Sequence, residues 1–401
     1  MANTLGIYNP VMYATEALAI LKKRLGVAQR VYHGIETERR SFQKGDTISI
    51  KRPSTFVVAS APSTAADLQV ETVTMTMTNW KEVKFKLSDK ELAYTTEQII
   101  ADHIAPAAYA LADDIDQALI SNMSLVGFAN AASASNVSGD SATFAATQLT
   151  NLRKMAFNAK IPLQDIDKIH LMVNGTTEAD ILGNATVGAW TGQGSAGTNS
   201  IIDATIGRRY GMNIFANQNA GTATNALHSI DTNLNSIVAS AAAIGATSIV
   251  LTRATLTGTI TRGSIITVEG YNYTVLTNAT ASGNSITLSV SPPVQGAAGE
   301  DGITAGAAVT FVWLGDNTST PYENLMWHRD AVALVMVPLP ETGSRLGAQV
   351  FTVQDPVSGL SIRARLYYVG NSSEVHVALD TLYGTKVLNP YLGVRWIRRA
   401  A

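Results

Sequence analysis

The sequence predicts an α+β fold with an inserted all-β domain, and three observations favour it. Apolar and polar residues alternate along much of residues 41–87, which indicates a long antiparallel hairpin. Apolar residues recur at spacings of three and four between Thr95 and Met123, which indicates a long amphipathic helix. From Leu227 to Tyr322 only seven residues are Asp, Glu, Lys or Arg, and short Val/Ile/Thr runs alternate with Gly, Asn and Pro. That segment is typical of a small barrel or sandwich.

The composition excludes several classes of protein. Of the 401 residues, 46% are hydrophobic and only 15% are charged, whereas ordinary soluble domains contain about 25% charged residues. A net charge of −2 argues against a dedicated nucleic-acid binder, and the absence of Cys excludes disulfides, thiolate metal sites and cysteine nucleophiles. We expect no membrane span, because no run of about 20 apolar residues occurs. We also expect no signal peptide, because the cationic residues Lys22 to Arg24 follow the apolar stretch.

The N-terminal region predicts a short helix and then the hairpin. Between Pro10 and Leu25, five apolar residues share one helical face: Ala14, Ala17, Leu18, Leu21 and Leu25. The hairpin strands are contained in "KGDTISIKRPSTFVVAS" and "QVETVTMTMTNWKEVKFKL", and the turn-rich "APSTAAD" joins them. A charged two-stranded ribbon is only marginally stable alone. We therefore expect the ribbon to lie on another surface, such as a neighbouring subunit.

The helix from Thr95 to Met123 should contain a kink or break, because Pro106 lacks a backbone N–H. Three carboxylates, Asp113, Asp114 and Asp116, lie on it, and no His falls at helical spacing from them. We interpret them as a solvated or subunit-facing edge rather than a metal or acid–base site. The predicted apolar stripe consists of Ile99, Ile100, His103, Ile104, Ala107, Ala108, Leu111, Ile115, Leu119 and Ile120.

Strands and helices alternate between residues 145 and 225, which predicts an α/β unit. We expect a helix in "TQLTNLRKMAFNAKIP", a strand in "KIHLMV", a short helix in "TTEADILGN" capped by Thr176 or Thr177, and a strand in "YGMNIFANQN". The α/β character resumes at Asn324, so we interpret residues 227–322 as an insertion whose flanking sequences fold together. A final strand is expected from Gly384 to Ile397.

Two motifs suggest catalysis, and the context of each argues against it. Residues Gly192 to Gly197 match G-x-G-x-x-G, but a dinucleotide site needs a preceding strand and an acidic residue about 20 positions later, and both are absent. His328-Arg329-Asp330 matches the start of a kinase catalytic loop, but Val335 stands where that loop needs a metal-binding Asn. The six His residues form no metal-ligand pair four residues apart. We therefore predict no catalytic, cofactor-binding or metal-binding residue, and we interpret "AVALVMVPLP" as a buried core strand.

Several segments, taken in chain order, resemble one protein family. The hairpin precedes a helix with "IIADHIAPAAYALADDIDQALI", and then come "FANQN", the low-charge module, "NLMWHRDAVALVMVPLP" and "LDTLYGTKVLNPYLGVRWIR". This order resembles the major capsid (coat) protein of tailed double-stranded DNA phages, and among these the podovirus-type coat proteins with an extra inserted domain. The resemblance covers nearly the whole chain and is most specific in "HRDA-x-AL-x-x-x-PL" and "LYG-x-K-V-L-x-P".

The resemblance implies a Hong Kong 97-like capsid fold with an extended loop, a long spine helix, an axial domain and an inserted all-β domain. His328, Arg329 and Asp330 would then bond across strands or to a neighbouring subunit, and "AVALVMVPLP" would join two axial parts. The implied parts are an N-terminal arm with a short helix (1–40), the extended loop (41–87), a peripheral domain with the spine helix (88–144), a first axial part (145–226), the inserted barrel-like domain (227–322), a second axial part (323–382) and a C-terminal strand that returns to the peripheral domain (383–401).

The implied function is self-assembly into an icosahedral virion shell that encloses double-stranded DNA without sequence-specific binding and without catalysis. We expect pentamers and hexamers of this chain, scaffolding and portal proteins as partners, assembly in the host cytoplasm, and no cofactor or membrane. Some relatives crosslink a Lys of the extended loop to an Asn of the next subunit. Lys51 and Lys81 lie in the matching region, but no catalytic partner is identifiable, so we predict no crosslink. Arg395, Arg398 and Arg399 would face either the lumen or an acidic neighbour.

Three alternatives remain open at this point. An encapsulin-like nanocompartment shell shares the fold but encloses enzymes. Another virion structural β-protein, such as a tail tube or decoration protein, would seldom carry a spine helix. A nucleotide-binding enzyme rests on the glycine pattern alone.

Overall fold

The chain folds as two compact units in the computed structural model. Unit 1 comprises Met1–Leu119 and Ala333–Leu388, and unit 2 comprises Ile120–Val332 and Asn389–Ala401. Both units combine helices with β-sheet, so the predicted α+β fold class is confirmed. The structure describes residues 10–33, 47–51, 61, 72–88, 103–123, 130–133, 144–184, 206–220, 237–262, 264–291, 293–294, 302–313, 322–341, 348–355 and 359–398.

Four α-helices and 21 strands lie within the described residues. The helices are α1 (Pro10–Arg24), α2 (Ala105–Met123), α3 (Ala146–Asn158) and α4 (Gly175–Gly183), and short 3-10 helices lie at Ala28–Arg30, Ile166–Lys168, Arg329–Ala331 and Pro390–Leu392. The strands are β1 (Thr47–Lys51), β2 (Thr72–Thr76), β3 (Asn79–Ser88), β4 (Asn130–Ser133), β5 (Ile169–Val173), β6 (Gly207–Arg209), β7 (Met212–Ala216), β8 (Val238–Ala239), β9 (Ser248–Thr252), β10 (Thr259–Ile260), β11 (Ile265–Val268), β12 (Tyr271–Val275), β13 (Ala279–Thr280), β14 (Ser285–Ser291), β15 (Ala307–Trp313), β16 (Tyr322–His328), β17 (Val332–Val337), β18 (Gln349–Gln354), β19 (Ser361–Val369), β20 (Glu374–Val387) and β21 (Gly393–Arg398).

Unit 1 is built on a five-stranded sheet. Its strand order is β17-β20-β19-β18, and β3 pairs antiparallel with β20 as well. One face is apolar because alternate residues of the central strands point to the same side, for example Val377 and Leu379 of β20, which are buried. Helix α1 packs on β18 and β19. The predicted apolar face of α1 is confirmed, since Ala14, Ala17, Leu18 and Leu21 are buried, as is Leu25 beyond its end.

The regular part of helix α2 begins at Ala105, after a π-helical turn at His103–Ile104. Pro106 is therefore the second residue of the regular part and directly follows the π-helical turn, so its missing N–H falls where the helix geometry changes. The predicted break thus falls at the beginning of the regular helix, and residues 95–102 lie outside the described part of the chain. The described members of the predicted stripe are buried from Ile104 to Ile120, but His103 is exposed and its ring centroid lies 5.6 Å from that of Phe85.

The predicted hairpin contains a ribbon and a sheet strand. Strands β1 and β2 pair antiparallel from Thr47 with Thr76 to Lys51 with Thr72. The second predicted strand is interrupted after Thr76, because β2 pairs with β1 whereas β3 pairs with β20. Within the described residues the two-stranded ribbon therefore consists of β1 and β2, and their connection, residues 52–71, lies outside the described part of the chain except for Ala61.

Unit 2 contains a six-stranded sheet of order β4-β21-β16-β5-β7-β6. Helices α3 and α4 share a buried core with one face of this sheet, which includes Leu149, Leu152, Leu171 and Ile181. The N-cap residue of α4 is Asn174, whose side-chain oxygen accepts a hydrogen bond of 2.9 Å from the backbone N–H of Thr177. The predicted cap at Thr176 or Thr177 was therefore wrong, because Asn174 precedes the helix in the extended conformation that a cap requires.

Six strands of unit 2 close into a barrel in the order β11-β12-β14-β9-β8-β15. The barrel spans Val238 to Trp313 and lies within the residues predicted as an insertion, 227–322. Alternate residues point inward, as in β14, where Ile286, Leu288 and Val290 are buried in the barrel core. The segment thus forms its own apolar core with very few charged side chains.

The grouping of the remaining segments differs from the prediction. Residues 333–382, expected to join residues 145–226, belong to unit 1, because β20 pairs with β3, β17 and β19. The C-terminal strand β21 was expected to return to residues 88–144, and it does pair with β4 of that segment. Both strands lie in unit 2, however, where β21 also pairs with β16, whereas most of helix α2 belongs to unit 1. The segment "AVALVMV" is a buried strand as predicted, but it pairs with β20 and does not join two halves of an axial domain.

Candidate assembly surfaces

The base of the β1–β2 ribbon is fixed to unit 1 by a small apolar cluster. Ile50 and Met75 of the ribbon are 8% and 2% exposed, and they pack with Ala333 and Val335. On β2 the neighbouring Thr74 is exposed. The cluster therefore fixes where the ribbon leaves the unit and leaves part of its surface open to another partner.

A glycine permits this path of the ribbon. Gly384 lies in β20, and a Cβ atom there would stand 2.9 Å from the carbonyl oxygen of Thr76 and 3.0 Å from Sδ of Met77. Real Cβ atoms essentially never approach a backbone atom so closely. The end of β2 therefore passes against β20 only because residue 384 has no side chain.

The other face of the unit 1 sheet carries a charge network centred on Asp380. The carboxylate is fully buried and accepts two hydrogen bonds from Arg363, Nε to Oδ1 at 3.0 Å and Nη2 to Oδ2 at 2.5 Å. Arg365 lies 3.2 Å from Oδ2, and Nε1 of Trp80 donates to the same oxygen at 3.2 Å. Because Trp80 is in β3, Asp380 in β20 and both arginines in β19, the network joins three strands.

Two exposed contacts extend this polar face along β3. Lys86 donates to Glu374 at 2.6 Å, and Arg365 donates to Glu82 at 2.7 Å. The hydrogen bond from Lys86, with one from Ser372, lowers the pKa of the Glu374 carboxyl to about 2. Trp80 remains 60% exposed although its ring nitrogen is hydrogen-bonded. Trp and Arg are enriched in protein–protein interfaces, so an exposed Trp beside paired charged side chains is typical of such a surface.

The three carboxylates of α2 have different roles. Asp116 is buried and accepts hydrogen bonds from the backbone N–H groups of residues 26, 27 and 28 at 2.7, 3.2 and 3.0 Å. Asp114 accepts one of 2.6 Å from the Tyr383 hydroxyl and lies 3.1 Å from Lys81. Burial, with the bond to Asp114, raises the pKa of the Tyr383 phenol. Only Asp113 fits the predicted solvated edge, because Asp116 and Asp114 tie the helix to other parts of unit 1.

His328 is the buried centre of a polar cluster at the end of β16. Its Nδ1 accepts a hydrogen bond of 3.3 Å from the backbone N–H of Asp330, so it caps the short helix that follows. Its Nε2 lies 3.7 Å from the carboxylate of Asp165, which also binds Lys168 at 3.0 Å. Burial lowers the pKa of His328, against the opposing effect of the Asp330 and Asp165 carboxylates. The residues of the "HRD" motif therefore organise a turn within unit 2.

The other residues singled out from the sequence have structural positions or lie outside the described part of the chain. Arg395 is fully buried and donates to Glu323 at 2.7 Å, so it faces neither a lumen nor another subunit. The glycine pattern at 192–197, the side chain of Arg398 and residue Arg399 lie outside the described residues. Among the described residues no group of three or more His, Cys, Asp or Glu residues could hold a metal ion. No helix in that part of the chain is long and apolar enough to cross a membrane.

No protein-family model and no curated protein matches this chain. A solved structure described as "Mycobacterium phage Che8" is similar to it at 14% identity and a TM-score of 0.44, with 93% of this chain and 90% of the other covered. "Capsid structure of the Cyanophage P-SCSP1u" follows at 11% identity and a TM-score of 0.44, with coverages of 89% and 85%. "Capsid of Ralstonia phage GP4" has 8% identity and a TM-score of 0.44, with coverages of 90% and 85%. Identities and TM-scores this low carry no argument about function. The function of this chain is therefore inferred from its own surfaces.

Proposed function

We propose that this chain is the major capsid protein of a tailed phage, and that its copies assemble into an icosahedral shell around double-stranded DNA. The observation that carries the proposal is the β1–β2 ribbon, which is fixed to unit 1 at its base by Ile50 and Met75. A two-stranded ribbon is marginally stable by itself, and a ribbon with a rigid base is suited to lie on a neighbouring copy.

The composition supports the same proposal. A chain with 46% hydrophobic and 15% charged residues has little charge to keep a large surface in water, and obligate interfaces typically bury roughly 2,000–5,000 Å². Large exposed side chains, Trp80 of unit 1 and Phe157 of unit 2 among them, occur in both units of the isolated chain. We propose further that the chain acts without catalysis or cofactor, and that scaffolding and portal proteins assist its assembly in the host cytoplasm.

Electron microscopy of the full chain, expressed alone and with its scaffolding protein, tests this function. Closed shells of uniform diameter are the expected result. The matched variant replaces residues 52–71 with a short Gly-Ser turn, which keeps β1, β2 and β3 in place. We expect the variant to fold, as judged by circular dichroism, and to form no shells. A full chain that stays monomeric under both conditions would contradict the proposal. Normal shells from the variant would show that the ribbon is not required for assembly.

The contents of the shell separate a phage capsid from a nanocompartment. We expect the particles to protect double-stranded DNA from nuclease. We also expect terminase and portal genes to lie near the gene that encodes this chain. Particles that enclose a specific enzyme and no DNA would replace the capsid proposal with a cellular compartment of the same fold.

A further inference from the structure

Unit 2 presents an exposed surface at the end of α3, which we name the tip surface: Arg153, Phe157, Lys160 and Tyr210. Phe157 is 72% exposed, the largest exposure among the big apolar side chains described. Arg153 is one helical turn before it, and Nη1 of Arg153 donates to the carbonyl oxygen of Tyr210 at 2.6 Å. Helix α3 and the β6–β7 turn therefore form one continuous surface.

The turn at the tip surface carries a tyrosine where another residue would fit more easily. Tyr210 and Gly211 form the two-residue turn between β6 and β7, with φ angles of 50° and 76°. Such a turn favours Asn-Gly, because both positions are left-handed. Gly211 is favoured by its positive φ, and a Cβ there would also require the flexible end of the Arg153 side chain to shift. Tyr210 occupies the first position of this turn and is 37% exposed. A strained position that keeps an exposed aromatic ring indicates that the ring contacts another protein surface.

The tip surface carries two cations, Arg153 and Lys160, and the acids that follow it, Asp165 and Asp167, are paired with Lys168 and Arg208. The segment at the opposite end of α3 is acidic. No Asp or Glu occurs from Ala146 to Lys160, which contain Arg153, Lys154 and Lys160. No Lys or Arg occurs from Ile169 to Ile206, and within that range α4 carries Glu178 and Asp180.

These two surfaces cannot meet within one chain. The β6–β7 turn lies at the end of the sheet where β5 begins, because β5 and β7 are parallel, whereas α4 begins where β5 ends. The amide of Asn184, just after α4, donates at 3.2 Å to the carbonyl oxygen of Phe144, which precedes α3. The 13 residues of α3 thus separate the two surfaces by about 20 Å.

We infer that the tip surface of one copy docks on helix α4 of the next copy, in a head-to-tail contact that repeats around a ring. The inference rests on the proposed shell function and specifies one of its contacts. Two different patches of one chain that attract each other make a heterologous interface, which closes into a ring when the rotation allows it. Phe157 and Tyr210 would supply apolar area, and Lys160 with Glu178 would fix the orientation.

Charge reversal in the full chain tests this contact, with the yield of shells or rings measured by sedimentation and electron microscopy. We expect Lys160→Glu and Glu178→Lys each to lower the yield about tenfold or more, since one such contact repeated in every subunit is worth at least a factor of ten. The double variant should restore the yield to within a few-fold of the parent. A matched control, Ile244→Ala in the barrel, removes a side chain that is 53% exposed and should leave the yield unchanged.

A second variant separates contact from folding. Tyr210→Asn should leave the unfolding midpoint equal or higher, because Asn suits the turn, and should lower the yield several-fold. If the parent chain assembles and all these variants assemble equally well, the tip contact is wrong while the shell function stands. If the parent chain forms no assembly at all, the proposed function fails and this contact fails with it.

Discussion

A Cβ atom on Gly384 would lie 2.9 Å from the carbonyl oxygen of Thr76, so the last residue of β2 passes against the backbone of β20. Close by, Met75 and Ile50 pack with Ala333 and Val335. The direction in which the ribbon leaves unit 1 is therefore set by one missing side chain and one small apolar cluster.

Replacement of Gly384 by Ala should push the ribbon base away from β20. We expect a loss of about 1–3 kcal/mol in the free energy of unfolding, as for other overpacked sites, and a lower yield of assembled particles. Urea unfolding and sedimentation measure the two effects. Gly370→Ala is the control, because no atom lies within 4 Å of its added Cβ and its φ is not in the left-handed region. Equal behaviour of the two variants would contradict the role of Gly384.

Replacement of Asp380 by Asn should lower the free energy of unfolding, because it breaks the charge network on the polar face of the unit 1 sheet. It would leave the Arg363 guanidinium, whose side chain is 9% exposed, without its carboxylate, and a broken buried ion pair costs about 3–5 kcal/mol. The control Glu82→Gln removes the partly exposed partner of Arg365, for which we expect a loss within about 1 kcal/mol. Chemical unfolding of both variants is the measurement, and a loss from Asp380→Asn no larger than the control's would contradict the account.

Replacement of Asp116 by Ala should loosen the segment after α1. Three backbone N–H groups, those of residues 26–28, lose their acceptor, and each unsatisfied buried donor costs about 1–3 kcal/mol. Hydrogen exchange at these amides should become markedly faster. The same measurement on Asp113→Ala, three residues earlier on the exposed side of α2, should show no change there.

The stability of unit 2 should fall as the medium becomes acidic, because burial lowers the pKa of His328 in the folded state. The unfolded histidine titrates near pH 6.5, so stability is fully present above that pH and decreases as the pH falls below it. Asp165 and Asp330 oppose the shift, and Lys168 adds to it. Thermal unfolding between pH 5 and 8 should show this slope in the parent chain and a flatter one in His328→Asn. A slope unchanged by the substitution would contradict the assignment to His328.

The sequence predicted those elements whose pattern is local. The apolar face of α1, the buried strand after Asp330 and the low-charge barrel segment all follow from periodicity or composition. Pairing between distant segments carries no local signal, so the place of β21 beside β16 and the union of residues 333–388 with the N-terminal part were missed. Asp116 was misread for the same reason, because its partners lie about 90 residues earlier.

The surfaces proposed for assembly were predictable only in part. The alternation in β1 and β2 indicated a ribbon, but nothing in "LYGTK" marked Gly384 as the residue that the ribbon passes. Tyr210-Gly211 offered a usable signal, since a glycine before a strand suggests a tight turn. The basic and acidic stretches around α3 and α4 were also visible in the sequence, but their separation depends on the order of the sheet.

Cryo-electron microscopy of particles formed by the full chain tests the central claim most directly. The account predicts closed icosahedral shells in which the β1–β2 ribbon stays fixed to its own subunit at Ile50 and Met75 and its outer part lies on the surface of the next subunit. Shells in which that ribbon folds back on its own subunit, or a chain that remains monomeric even with its scaffolding protein, would contradict it.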